Sequence, residues 1–132
     1  MTHDQLQSEC WEKAWNHAVT QAPHMLRRFF AIPNSSMGFL GMIKAKQLES
    51  CGALGGVWDM VAFGDEATIH WIEFKVGRDT ISDAQKKFKA AILKSGGKNY
   101  FYEVRDVNTF CSIFTAIVEL DFEILNKLMY KC

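Results

Sequence analysis

The chain has 132 residues, and its 15 Lys plus Arg balance 15 Asp plus Glu, a formal net charge of zero. Apolar residues make up 48%, which excludes a disordered chain and leaves one packed domain as the expectation. The charge balance excludes a uniformly basic, histone-like binder, although not a local basic face.

No stretch reaches the roughly 18 uncharged apolar residues of a membrane span. The polar start MTHDQLQSEC is not a secretory signal. The cysteines at positions 10, 51, 111 and 132 form no CxxC pair. A zinc knuckle therefore lacks support, and reduced thiols of a cytoplasmic protein are expected.

Leu6, Cys10, Ala14 and Ala18 recur at every fourth position, so residues 4–22 read as a helix that Pro23 stops. Residues 29–32 form a short apolar run, a strand ended by the turn Pro33-Asn34-Ser35-Ser36. Residues 38–50 read as helical, and Gly52, Gly55 and Gly56 then mark a loop. Residues 57–63 and 67–76 read as two strands joined by a hairpin turn at Gly64-Asp65-Glu66. Ser82-Asp83-Ala84-Gln85 is a capping-box pattern. It opens a helix with Ala84, Phe88, Ala91 and Ile92 on its inner face, ended by Gly96-Gly97. Residues 100–104 form a strand, and 107–120 and 122–130 read as helices. This order predicts an α/β domain with a small mixed sheet flanked by helices.

The chemistry concentrates in GVWDMVAFGDEATIHWIEFK. Side chains alternate along a strand, so Ile69, Trp71, Glu73 and Lys75 share one face. Pairing of the two strands brings Asp59 beside the Glu73 end. Two carboxylates so close repel unless a cation lies between them. Oxygen ligands, including the carbonyl of Phe74, favour Mg²⁺, with Mn²⁺ able to substitute. Such an ion polarises a phosphate and activates water, and Lys75 adds positive charge for the transition state. The parts suit phosphodiester hydrolysis. Taken alone, the three residues also fit a surface Glu–Lys pair on an exposed strand.

The surroundings carry a resemblance. Ile32-Pro33-Asn34, Gly56-Val57-Trp58-Asp59, Ile72-Glu73-Phe74-Lys75, Ser82-Asp83-Ala84-Gln85-Lys86, Val104-Arg105-Asp106 and Phe110 occur in order. From about residue 6 to 110 the chain resembles the VRR-NUC family of the PD-(D/E)xK nucleases. The resemblance implies a restriction-endonuclease-like core spanning 1–132, with 111–132 as a C-terminal helical extension. It implies metal binding at Asp59 and Glu73, a catalytic Lys75 and an active-site amide at Gln85. Trp58 stands where the superfamily often has Pro. The family also offers an acid on the first helix before a Leu/Ile-Gln pair. Leu6-Gln7 points to Asp4 as that metal-shell acid, or else as a residue that favours the helix N-terminus. Gln85 has two readings, capping-box partner or active-site amide, which one rotamer is expected not to serve together. Similar stand-alone domains are carried by phages and mobile elements.

Residues 75–98 hold seven basic side chains, including Arg78, Lys86, Lys87 and Lys89, against Asp79 and Asp83, a local charge of +5. Lys44, Lys46 and Asn34 extend the expected nucleic-acid surface. The alternative is a solvated helix face. The expected function is a Mg²⁺-dependent DNA nuclease, with a structure-specific role in replication, repair or recombination in view. The rival is a non-catalytic nucleic-acid-binding module of the same fold. Because residues 110–130 are rich in Phe, Ile and Leu, a homodimer is expected to cover the surplus.

Overall fold

The computed structural model describes residues 1–33, 46–47, 49–52 and 54–131. The turn at Asn34, Lys44 and most of the expected 38–50 helix lie outside the described residues, while 46–47 and 49–50 are helical. The described elements are α1 (His3–Gln21), β1 (Phe29–Ala31), β2 (Met60–Phe63), β3 (Thr68–Phe74), α2 (Asp83–Lys94), β4 (Lys98–Val104), α3 (Val107–Glu119) and α4 (Phe122–Leu128).

The strands lie in the order β1-β2-β3-β4. β1 and β3 flank β2 antiparallel. β4 runs parallel to β3, in register from Thr68↔Lys98 to Phe74↔Val104. A parallel pair needs a crossover, and α2 supplies it. The sheet is thus mixed, as expected.

The alternation along β3 sorts its residues between two cores. Ile72 and Phe74 face α1, α3 and α4, where Leu6, Cys10, Ala14 and Ala18 meet Phe110, Ile113, Phe114, Ile117 and Leu125. The small Ala14 and Ala18 let α1 approach closely, and each large side chain buried there contributes about 1.5–3 kcal/mol. The opposite core is smaller. Trp58, Ile81 and Phe101 are buried there, with Trp71, Phe88, Ile92 and Tyr130 packed around them.

Three expectations change. Residues 57–59 leave the β2 ladder, because Trp58 turns under α2 and donates from Nε1 to the Gln85 carbonyl at 3.1 Å. β2 and β3 form the expected antiparallel hairpin, but its turn is a 3-10 turn over Asp65–Ala67, with Glu66 and Ala67 left-handed, rather than over Gly64–Glu66. The inner face of α2 is narrower than its pattern: Ala84 and Ala91 are exposed, and Phe88 and Ile92 half-buried. Ala84 nevertheless lies against Gly56, where a Cβ would come within 2.7 Å of the Ala84 backbone. With φ at +84°, Gly56 suits glycine on both counts.

The C-terminal helices bury Phe110, Ile113, Phe114, Ile117 and Leu125 in the main core of their own chain, while Ile124 stays exposed and Phe122, Leu128 and Met129 are half-buried. Among the described residues, no helix is long and apolar enough to cross a membrane.

Candidate functional site

Asp59 lies just before β2 and Glu73 near the end of β3, and the antiparallel pairing sets them side by side. The Asp59 N–H donates to Glu73 Oε1 at 3.0 Å. In return, the Phe74 N–H donates to Asp59 Oδ2 at 3.0 Å. Each carboxylate is therefore fixed by the backbone next to the other. Both side chains are buried, at 8% and 3% exposure, unusually low for acids.

Lys75 follows on β3's face and brings Nζ to 3.1 Å from Glu73 Oε2. Gln85, in the first turn of α2, donates from Nε2 to the same oxygen at 2.6 Å. Its Oε1 simultaneously accepts from the Ser82 N–H at 2.8 Å. The Ser82 hydroxyl in turn accepts from the Gln85 N–H at 3.1 Å, closing the capping box. The expectation that one Gln rotamer cannot both cap and serve the site is therefore wrong. The two ends of the amide divide the work, the oxygen capping and the nitrogen holding Glu73.

A residue outside every motif named above completes the cluster. His3, the first residue of α1, places Nε2 2.9 Å from Asp59 Oδ2. Its ring meets Phe74 edge-on, with centroids 6.4 Å apart. Periodicity contained the signal: His3 lies three residues before buried Leu6 and shares its face, whereas Asp4 does not. Asp4 is exposed, and its carboxylate lies 3.4 Å from His3 Nδ1.

Electrostatics mark the cluster as charge-strained. Burial and the adjacent Asp59 charge raise the Glu73 carboxyl above its ordinary pKa, against the opposing pull of Lys75 and Gln85. Burial works to lower His3, but the hydrogen bond and charge of Asp59 overcome it and raise the imidazole. Two buried carboxylates that resist sharing a site form a donor set suited to a divalent cation. Among the described residues, no three His, Cys, Asp or Glu side chains stand together so that they could hold a metal ion by themselves. A cation here would therefore keep waters or other oxygens in its shell.

Beside the cluster, a groove is lined by Asp4, Gln7, Ser8, Trp11, Ala31 and Met60. Lys86 and Lys87 are exposed on α2, and Arg78 and Lys46 are exposed as well. Lys89 differs: its Nζ lies 5.1 Å from the Tyr130 ring centroid.

No family model and no curated protein matches the sequence. Among solved structures, a VRR_NUC domain protein superposes with a TM-score of 0.63. It is 17% identical, and the match covers 91% of this chain and 90% of that one. At that identity the likeness is one of fold, and the chain has the fold of a VRR_NUC domain.

Proposed function

We propose that the protein is a divalent-metal-dependent nuclease that hydrolyses phosphodiester bonds in DNA. The observation that carries this reading is the reciprocal pairing of Asp59 and Glu73 at one end of the central strand pair, with Lys75 on Glu73. The nuclease-type fold supports it.

Asp59 and Glu73 are the carboxylates that would hold Mg²⁺ or Mn²⁺, with the Phe74 carbonyl as a further oxygen donor. The ion would supply Lewis-acid charge to a phosphate and lower the pKa of water. Gln85 keeps Glu73 in one orientation. Lys75 sets an ammonium where negative charge accumulates as the phosphodiester is attacked. The exposed Lys86, Lys87 and Arg78 offer their charge to backbone phosphates, which bind without regard to sequence. DNA then lies across the strand end from which Asp59 and Glu73 are reached.

The test is nicking of supercoiled plasmid by purified protein in Mg²⁺ or Mn²⁺, with chelator and with Asp59→Asn as controls. Metal-dependent nicking that disappears in Asp59→Asn is the expected result. DNA binding with no cleavage in either metal would establish the non-catalytic module instead.

A further inference from the structure

We infer that His3 is a nitrogen ligand of the metal site, oriented by Asp4, so that this centre combines imidazole with carboxylate rather than using oxygen alone. The inference rests on the nuclease reading above, and extends it to a residue that neither the motif spacing nor the fold likeness assigns.

The first ground is distance. Adjacent donors on an octahedral ion with bonds of about 2.0–2.1 Å sit about 3 Å apart. His3 Nε2 and Asp59 Oδ2 are 2.9 Å apart, a hydrogen-bond length that is also the spacing of two neighbouring ligands. The second ground is orientation. The other ring nitrogen, Nδ1, has the Asp4 carboxylate at 3.4 Å. A carboxylate behind a histidine favours a proton on Nδ1, so that a metal displacing the proton which Nε2 shares with Asp59 finds Nε2 ready to coordinate.

The third ground is placement. Thr2 and Gln5 close a capping box at the start of α1. His3 is thus held by a formed helix end rather than carried on a loose terminus. Its ring also rests on Phe74, the residue next to Glu73. The fourth ground is what remains available. Glu73 Oε2 already takes Gln85 and Lys75, and Oε1 takes the Asp59 N–H. Asp59 Oδ2 also accepts from the Phe74 N–H, but the His3 and Asp59 side chains are 38% and 11% exposed against 4% for Glu73, so theirs is the more open donor set.

The chemical consequence is metal preference. Mg²⁺ strongly favours oxygen, whereas transition ions accept imidazole nitrogen. His3 therefore shifts the site toward Mn²⁺. Asp4 takes part from behind the imidazole rather than as a direct ligand.

Pulsed electron paramagnetic resonance of Mn²⁺ bound to the full chain, without DNA, tests this directly. Wild-type protein should show modulation from an imidazole nitrogen, and His3→Ala should lose it. Calorimetry should show Mn²⁺ affinity falling about tenfold in His3→Ala, with Mg²⁺ affinity falling much less. His3→Asp should restore binding while moving the preference toward Mg²⁺. Mn²⁺ bound to wild type with no imidazole modulation, or with equal affinity in His3→Ala, overturns the inference and leaves the nuclease reading standing. Failure of wild type to bind either ion overturns both.

Discussion

Strand β3 buries polar side chains at both ends, and the two ends are built on opposite terms. At its start, His70 is fully buried. Its ring nitrogens lie 2.9 Å from the Tyr102 hydroxyl and 2.9 Å from the Thr68 hydroxyl. Its ring stacks on Tyr100 and Tyr102. All these partners are neutral, and burial pushes His70 down to about 4. A Cβ on Gly64 would overlap the Thr68 hydroxyl, so the network is closed by backbone as well. At the other end, Asp59 and Glu73 sit together with His3 and Lys75 as partners, and burial with the Asp59 charge raises the Glu73 carboxyl. The first cluster satisfies its polar groups and serves stability. The second keeps a charge conflict that, under the proposed function, a bound cation would relieve.

The largest expected effect concerns Lys75, at the charged end. Lys75→Ala should slow cleavage on the order of 10²–10³-fold through the lost charge stabilisation, with metal affinity retained, as single-turnover kinetics and calorimetry would show. His70→Ala should do the reverse. It should cost about 2–4 kcal/mol of stability through the cavity and the unpaired hydroxyls. Cleavage per folded molecule should be unchanged. A His70 variant that folds well but fails to cleave would erase the contrast between the two ends.

Acid sharpens the same comparison. The denatured chain protonates His70 near 6.5, whereas the folded chain resists until about 4. Stability should therefore fall as pH drops from 6.5 toward 4, by up to about 3 kcal/mol from this residue. Denaturant melts across that window should lose this slope in His70→Phe. Glu73 works in the opposite direction. Its raised carboxyl takes up a proton more readily when folded, which favours the fold as pH falls.

The smallest effect expected is on the surface. Lys86→Ala with Lys87→Ala should weaken DNA binding for all sequences alike. The log–log salt slope should flatten by up to about 0.9 for each duplex phosphate that is no longer neutralised. Lys89 is best left out of that variant, because its ammonium lies over Tyr130 and its removal would also disturb packing. An unchanged slope would make these lysines a solvated face.

The contrast also bears on what could be read from the sequence. Alternation along β3 placed Glu73 and Lys75 together and His70 apart from them. Fourfold spacing fixed the buried stripe of α1, and Ser82 with Gln85 fixed the start of α2. These signals are local, because periodicity and capping act within a few residues. The misses came from pairings between distant segments. Trp58 leaves its strand to reach the Gln85 carbonyl. His3 meets Asp59 across 56 positions. Gln85 joins two bonds that looked exclusive until the direction of each end of its amide was known. Nor does composition say that α1 leaves room for α3 against the same sheet face.

The most direct test of a reactive centre at this strand end is Glu73→Gln, measured at once for metal affinity, cleavage and thermal melting. The substitution keeps the shape of the side chain and removes the charge that burial and Asp59 oppose. We predict that divalent affinity and DNA cleavage fall together while the melting temperature changes little, because the relieved charge conflict offsets the acceptor lost to the Gln amide nitrogen. Cleavage at the wild-type rate in limiting Mg²⁺ would contradict the assignment of Asp59 and Glu73 as the metal-holding pair.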